Sequence, residues 1–273
     1  MRRTFIGLVF VTALLLSLVS VGAQAPVAPA AGAPGAGAPQ GGARGGAGAG
    51  GRGGPASPAN VALQNAGNAA RHQSFLDVAK AGNIELLFVG DSITDWFYWP
   101  RGGAATLTGR AVWDATFAPL KAANFAIAGD TTQGALWRMQ NGELEGFKAK
   151  LIVLMLGTNN IGRNPNDEIA DGDRLIIEEF KKRQPQAKVL LLGIFPRNMD
   201  PANALRATIK EINSKLEKLA DNKQVFYMDI GNKFLTADGT LTTEIMADWL
   251  HPTPKGYQIW ADAIIDRVKT LMK

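Results

Sequence analysis

Four short blocks of the chain carry side chains that can perform nucleophilic chemistry together. They are Gly90-Asp91-Ser92, Ala128-Gly129-Asp130-Thr131, Gly157-Thr158-Asn159 and Asp248-Trp249-Leu250-His251. A serine hydroxyl attacks a carbonyl carbon when an imidazole takes its proton and a carboxylate orients that imidazole. Backbone amides near a glycine and an asparagine amide can stabilise the oxyanion that forms. Taken singly, each block is equally typical of a turn or a helix start.

The histidine count narrows the choice of a general base, because the sequence has only two histidines, His72 and His251. His72 lies in a polar stretch, residues 71–74, which we predict to be an exposed helix. His251 follows Asp248 by three residues, and this spacing can bring both side chains to one side of a compact turn. Asp229, at the end of the fifth predicted strand, is a second candidate for the acid that orients the imidazole.

Composition excludes several other kinds of chemistry. The sequence has no cysteine, which rules out disulfides, thiolate metal sites, a cysteine nucleophile and a lipid-modified cysteine. A total of two histidines also argues against a zinc centre with several histidine ligands. We therefore expect neither a metal ion nor another cofactor.

The elements that must position these blocks appear as apolar runs of strand length that alternate with helical stripes. Five strands are predicted at 84–89, 123–127, 151–156, 189–192 and 225–228. Apolar residues at helical spacing predict helices through 169–180, 205–219 and 260–271. This alternation predicts an α/β fold with three layers, α/β/α, around a five-stranded parallel sheet. Ligands of such sheets bind beyond the carboxyl ends of the strands, where the first three blocks lie.

In their order along the chain, the four blocks resemble the SGNH, or GDSL, hydrolase superfamily. The superfamily is named for a serine, a glycine, an asparagine and a histidine, which here would be Ser92, Gly129, Asn159 and His251. The resemblance implies the flavodoxin-like fold of that superfamily. Within the superfamily, five segments are similar to the catalytic subunits of type I platelet-activating factor acetylhydrolases: 124–132, 136–138, 141–145, 157–160 and 183–188. The likeness covers roughly residues 70–270.

The resemblance implies a role for each matching residue. Ser92 would be the nucleophile, His251 its general base, and Asp248 the acid that holds the imidazole. The backbone amides of Ser92 and Gly129, with the Asn159 side chain, would form the oxyanion hole. Hydrolysis would pass through an acyl-enzyme and would need no metal.

Other residues next to these positions are candidates for shaping the substrate site. Four are candidates for substrate contact: Asp91, Trp96, Asp130 and Thr131. Capping of the next helix is the alternative role for Asp130 and Thr131, and packing in the core or in a lid is the alternative for Trp96, as it is for Trp99 and Trp113. Four positions depart from the pattern of the superfamily: Ala126, Ala128, Asn160 and Pro252, although the acetylhydrolase branch also has asparagine at the position of Asn160. The changes near Ala128 and Pro252 can reshape the acyl or leaving-group pocket.

The first 58 residues differ in composition from the remainder of the chain. Met1-Arg2-Arg3, the apolar run 5–21 and Ala23-Gln24-Ala25 predict a signal peptide over residues 1–25, cleaved after Ala25. The alternative is an uncleaved membrane anchor, because the run approaches the roughly 20 apolar residues that span a bilayer. Residues 26–58 consist almost entirely of Gly, Ala and Pro, which predicts a disordered tether. The hydrolase domain is assigned to 59–273, and we expect a secreted or periplasmic protein.

The charge excess belongs to this N-terminal part. The chain has a net charge of +5, but residues 1–58 contain four arginines and no acidic residue. The remaining residues carry 25 basic and 24 acidic side chains, a net charge of +1. The domain is therefore almost neutral, and we expect neither a nucleic-acid partner nor stable membrane insertion after cleavage. The oligomeric state is not indicated by the sequence.

Three functions follow from these observations. The first is an exported serine esterase that hydrolyses short acyl esters, most of all acetyl groups on a polysaccharide or an oligosaccharide. The second is a phospholipid or lipid acyl-ester hydrolase, closer to the acetylhydrolase branch. The third is a non-catalytic glycan-binding module that keeps the fold, against which the complete set of Ser92, Asp248 and His251 argues.

Overall fold

The structure is a computed structural model that describes residues 57–100 and 108–273. Its five strands are β1 (Leu86–Gly90), β2 (Ala122–Asn124), β3 (Leu151–Met155), β4 (Lys188–Leu192) and β5 (Val225–Met228). They form one sheet in the order β2-β1-β3-β4-β5, and every neighbouring pair is parallel. The predicted five-stranded parallel sheet is thus confirmed.

Seven α-helices connect and flank these strands within the described residues. They are α1 (Ala69–Lys80), α2 (Ser92–Tyr98), α3 (Arg110–Thr116), α4 (Thr132–Gln140), α5 (Asn166–Arg183), α6 (Ala204–Glu217) and α7 (Pro254–Leu271). The three helices predicted from apolar spacing correspond to α5, α6 and α7. Across the described ranges, no helix is both long enough and apolar enough to cross a membrane.

The sheet separates two apolar cores, because alternate side chains of each strand point to opposite faces. Leu87 and Val89 of β1 belong to the core that α1, α4, α5 and α6 cover. Leu86 and Phe88 of the same strand belong to the core beneath α2, α3 and α7. All five residues of β1, like all five of β3, are buried. The fold is therefore the predicted three-layer α/β/α arrangement.

Strand β2 is shorter than the apolar run that predicted it. The strand ends at Asn124, whose side-chain amide donates to the Thr94 carbonyl at 2.6 Å and whose Oδ1 accepts from the Ala126 amide at 3.0 Å. The following amides still donate to β1, Phe125 to Phe88 at 2.8 Å and Ile127 to Gly90 at 3.2 Å. These bonds hold the chain after β2 against the carboxyl end of β1, where the second block lies.

The segment before α1 is bound to the domain two residues earlier than expected. The carbonyl of Ser57 accepts bonds from the side chains of Gln133, at 2.8 Å, and Asn164, at 3.0 Å. The Thr132 hydroxyl donates to the Ala59 carbonyl at 2.6 Å. Ser57 and Pro58, which composition places in the tether, are therefore part of the folded unit. The predicted signal peptide and residues 26–56 of the predicted tether lie outside the described residues.

Candidate active site

The serine of the first block lies at the turn from β1 into α2. Asp91 caps the helix by accepting a hydrogen bond from the Ile93 amide at 3.0 Å, and Ser92 is the first helical residue. A Cβ at Gly90 would lie 2.6 Å from the Met155 carbonyl oxygen, so only glycine permits this close approach of β1, β3 and α2. Ser92 thus lies in the first turn of a helix, where backbone N–H groups have no partner within the helix.

His251 connects this serine to Asp248. The Ser92 Oγ and His251 Nε2 atoms are 2.9 Å apart, and His251 Nδ1 lies 2.7 Å from Asp248 Oδ2. A carboxylate can only accept a hydrogen bond, so Nδ1 carries the proton and Nε2 is free to accept the serine proton. The other carboxylate oxygen of Asp248 accepts the His251 amide at 2.8 Å. The arrangement can therefore deprotonate a serine and stabilise the resulting imidazolium.

Trp96 fixes the imidazole from one side. It lies one helical turn after Ser92, and its ring centroid is 4.3 Å from that of His251. Trp96 is half-buried, and its indole ring restricts the orientations open to the imidazole. Of the other two tryptophans named from the sequence, Trp113 is a core residue that is 1% exposed, and Trp99 lies under the Arg71 guanidinium at 4.1 Å.

The predicted oxyanion donors lie on the two neighbouring loops. Gly129 adopts φ +80 and is exposed, with no atom within 4 Å of the place a Cβ would take. The Asn159 side-chain Nδ2 donates to the Asp130 carbonyl at 2.8 Å. Since an amide NH2 has two hydrogens, this bond fixes the side chain and leaves a second N–H as a donor. The loops after β2 and β3 are thereby linked beside the serine-bearing turn.

A buried ion network supports the loop that carries Gly129. Asp130 accepts the Arg138 guanidinium at 2.8 and 3.0 Å, and Arg138 also pairs with Glu143. Burial by itself lowers the pKa of Arg138, but the charges of Glu143 and Asp130 outweigh it and leave the pKa raised. His72 Nδ1 completes the network at 2.8 Å from Glu143. His72 therefore lies on a helix, as predicted. Its side chain contacts this network and is half-buried, whereas we predicted an exposed residue.

Two of the four residues named as candidate substrate contacts have buried side chains that bind other groups of the protein. Asp91 and Asp130 are each 1% exposed, so they do not offer a surface to a substrate, which differs from the expectation for both. Burial raises the pKa of Asp91 to about 7. Thr131 is half-exposed at the start of α4, where its side chain makes no capping bond. The buried Asn160 instead holds this helix start, because its Oδ1 accepts the Thr132 amide at 3.1 Å.

The structure also separates the two candidate acids. Asp229 accepts the Gly231 amide at 2.7 Å and the Asn213 side-chain amide at 3.2 Å. These bonds hold Asp229 in the loop after β5, while Asp248 makes the contact with His251.

A group that the sequence reasoning did not single out is Arg197, which follows β4. Its Nη1 donates to the Thr158 carbonyl at 3.1 Å. Burial lowers the pKa of Arg197, and the negative charges of Asp91 and Asp248 oppose that shift. The available signal was its position, since Arg197 follows β4 at the same sheet edge as the other blocks.

Two cavities lie at opposite ends of the sheet. A cleft of about 190 Å³ adjoins Asp248, and it is lined by Arg197, Asn198, Leu205, Asp248, Trp249 and Leu250. A larger cavity of about 620 Å³ lies before the strands begin, where Glu85, Lys121 and Lys150 line it. The larger cavity contains none of the three relay residues, so its size gives it no part in the chemistry.

The family model of the GDSL-like lipase/acylhydrolase family matches residues 88–259. The chain belongs to this family. It is 38% identical over 189 residues to the alpha2 subunit of platelet-activating factor acetylhydrolase IB from Rattus norvegicus, which covers 69% of this chain and 77% of that protein. The family and this relative make the chain a carboxylic ester hydrolase, as the resemblance implied.

Solved structures of a GDSL-like lipase and of an acetylxylan esterase share the fold. A GDSL-like lipase from Bacteroides thetaiotaomicron superposes with a TM-score of 0.55 at 19% identity, covering 74% of this chain and 98% of that one. An acetylxylan esterase from Geobacillus stearothermophilus superposes with a TM-score of 0.52 at 19% identity, covering 69% and 96%. At these identities the likeness concerns the fold.

Proposed function

We propose that this protein is an exported serine esterase that removes short acyl groups, most of all acetyl, from carbohydrate. The observation that carries the proposal is the relay from Ser92 through His251 to Asp248, with links of 2.9 and 2.7 Å. The name of the rat relative specifies an acetyl group, which supports a short acyl chain. Export is supported by the signal-peptide pattern at residues 1–25 and the Gly/Ala/Pro composition that follows.

The reaction would proceed in two halves. Ser92 Oγ bonds to the ester carbonyl carbon while its proton moves to His251 Nε2, and Asp248 stabilises the imidazolium. The amides of Ser92 and Gly129 and the side chain of Asn159 hold the oxyanion. The bond to the alcohol then breaks, and Nε2 returns the proton to the leaving oxygen. Water attacks the acyl-serine by the same route and releases the acid.

A second candidate is a phospholipid acyl-ester hydrolase. It is favoured by the 38% identity to a platelet-activating factor acetylhydrolase subunit. The two candidates share the serine chemistry and differ in the alcohol that leaves.

A substrate panel tests both candidates. The panel contains p-nitrophenyl acetate, butyrate and octanoate, acetylated xylan, and a short-chain phosphatidylcholine. We expect acetate release from xylan and falling activity with longer acyl chains, and Ser92→Ala should lower kcat by several orders of magnitude. Ser214→Ala is the matched control, because Ser214 is an exposed residue of α6.

The results of these experiments distinguish the two candidate functions and test the assigned nucleophile and export separately. Hydrolysis of phosphatidylcholine without acetate release from xylan would favour the lipid candidate. Near-full activity of folded Ser92→Ala would refute the assigned nucleophile. For export, mass spectrometry of protein from the periplasm or medium should find a chain that begins at Pro26, and an uncleaved chain in the membrane fraction would contradict it.

A further inference from the structure

Trp249 occupies an unusual position between the acid and the base of the relay. It adopts φ +57, a left-handed conformation that bulky side chains rarely take because of the clash at Cβ. Its side chain is also 41% exposed. Glycine or asparagine would fit this backbone at lower cost. A large exposed aromatic ring at a strained position next to a catalytic carboxylate points to a function for the ring.

The loop after β4 holds this position in place. The Asn198 amide donates to the Trp249 carbonyl at 3.0 Å, and Asn198 itself has φ +72. Arg206 of α6 in turn donates to the carbonyl oxygens of Arg197, at 2.8 Å, and Asn198, at 2.9 Å. The two loops are therefore hydrogen-bonded to each other and to α6, and these bonds hold the left-handed backbone of Trp249 without a ligand.

The cleft beside the ring contains both kinds of polar partner. It has a volume of about 190 Å³, several times the roughly 30 Å³ that a water molecule occupies in the liquid. Arg197 and Asn198, whose side chains contain N–H donors, line it together with Asp248, whose carboxylate is an acceptor. An aromatic face with donors and acceptors around it matches a ring that carries hydroxyl groups.

The charges favour a neutral sugar over a phosphate headgroup. The negative charges of Asp91 and Asp248 act on the Arg197 guanidinium, so they offset part of the attraction that its positive charge would exert on a phosphate. A phosphate in the cleft would also face the Asp248 carboxylate. A hydroxyl group carries no charge, so the Asp248 carboxylate does not repel it.

We propose that Trp249, with Arg197 and Asn198, forms a subsite for a sugar ring and thereby selects the carbohydrate part of the ester. The subsite rests on the proposed carbohydrate esterase function and specifies where that specificity lies. Since the ring would contact the sugar and not the reacting carbonyl, it would bind the ground state and the transition state alike. Its removal therefore raises KM for the glycan more than it lowers kcat.

Trp249→Asn is the decisive variant, because asparagine tolerates the left-handed conformation and keeps the loop while it removes the ring. The ratio of kcat/KM for acetylated xylo-oligosaccharide to that for p-nitrophenyl acetate should fall about tenfold. Trp249→Tyr, which retains a ring, should restore most of that ratio. Met199→Ala is the control, since Met199 is 52% exposed next to Asn198 but does not line the cleft.

Direct binding provides a second measurement. Titration of xylotetraose into Ser92→Ala, followed by calorimetry, should show binding that the Ser92→Ala, Trp249→Asn double variant weakens about tenfold. This readout does not depend on catalysis, so it would not respond to a small displacement of the relay.

The outcomes distinguish this inference from the proposed function. If the wild type releases acetate from xylan but Trp249→Asn leaves the substrate ratio and the xylotetraose affinity unchanged, the subsite is refuted and the function stands. If the wild type releases no acetate from any glycan, the proposed carbohydrate esterase function is refuted, independently of the Trp249 variants. A selective loss of phosphatidylcholine hydrolysis in Trp249→Asn would assign the cleft to a lipid headgroup and overturn the sugar subsite.

Discussion

Asp173 of α5 makes the stability of this fold depend on pH. The residue is 0% exposed, and neither carboxyl oxygen has a hydrogen-bond partner. Burial, followed by the nearby charge of Asp91, raises the pKa of Asp173 well above its ordinary value of 3.8. The folded protein therefore holds a proton that the unfolded chain releases.

The direction and the size of this pH effect on stability follow from proton linkage. Between pH 3.8 and the raised pKa, the folded state binds more protons than the unfolded state, so stability falls as pH rises. The stabilising effect of this proton is complete below pH 3.8. Each pH unit above it removes about 1.4 kcal/mol. From pH 4.5 to 6.0, the loss due to Asp173 should therefore reach at most about 2 kcal/mol.

Asp173→Asn tests this reasoning, because the amide has a similar shape and cannot ionise. Urea unfolding at several pH values from 4.5 to 6.0, at constant ionic strength, should give a curve of stability against pH that lacks this slope. Asp91, with its pKa raised to about 7, contributes a slope of the same sign to both proteins. The difference between the two curves therefore isolates Asp173.

Asp221→Asn is a control of opposite sign. Hydrogen bonds from backbone amides, that of Val225 first, lower the pKa of Asp221, so its stabilising effect is present above pH 3.8 and lost only at lower pH. This variant should be less stable by a constant amount from pH 4.5 to 6.0. Parallel curves for the wild type and Asp173→Asn would refute the argument, since they would mean that the ionised carboxylate is tolerated inside the fold.

Three further predictions concern the site. Asp248→Asn should lower kcat about a thousandfold to ten-thousandfold, because an amide facing His251 Nδ1 favours the tautomer that cannot accept the serine proton; steady-state kinetics with a circular-dichroism check of the fold would show this. Asn159→Ala should lower kcat by about 10²–10³ with little change in KM, and an unchanged kcat would remove Asn159 from the oxyanion hole. Arg138→Met should destabilise the fold by about 3–5 kcal/mol in urea, because it removes the guanidinium that pairs with the buried carboxylates of Asp130 and Glu143. Arg174→Met, which breaks a surface pair, should cost about 1 kcal/mol or less, and equal losses would contradict the importance of burial.

The sequence alone predicted the architecture, which the structure confirms, and named the residues of the candidate site. A local run of apolar residues, such as 151–156, predicts a buried parallel strand. Apolar residues at helical spacing, such as Ile209, Ile212 and Leu216, predict a helix. The first three blocks follow from the same logic, because strand ends of a parallel sheet meet at one edge. These features depend on neighbouring residues, so they can be read without the fold.

Only the tertiary structure decided which side chains become partners. Ser92 and His251 are 159 residues apart, and the paths of the loops select Asp248 over Asp229. The fold likewise buries Asp91 and Asp130 and brings His72 next to Glu143. It also buries the Asp173 carboxyl group, which has no hydrogen-bond partner. The same type of residue can lie in a turn, in an ion network or in a core, so its type alone does not predict its partners. Its role depends on the atoms that distant parts of the chain bring to it, and on the water that they exclude.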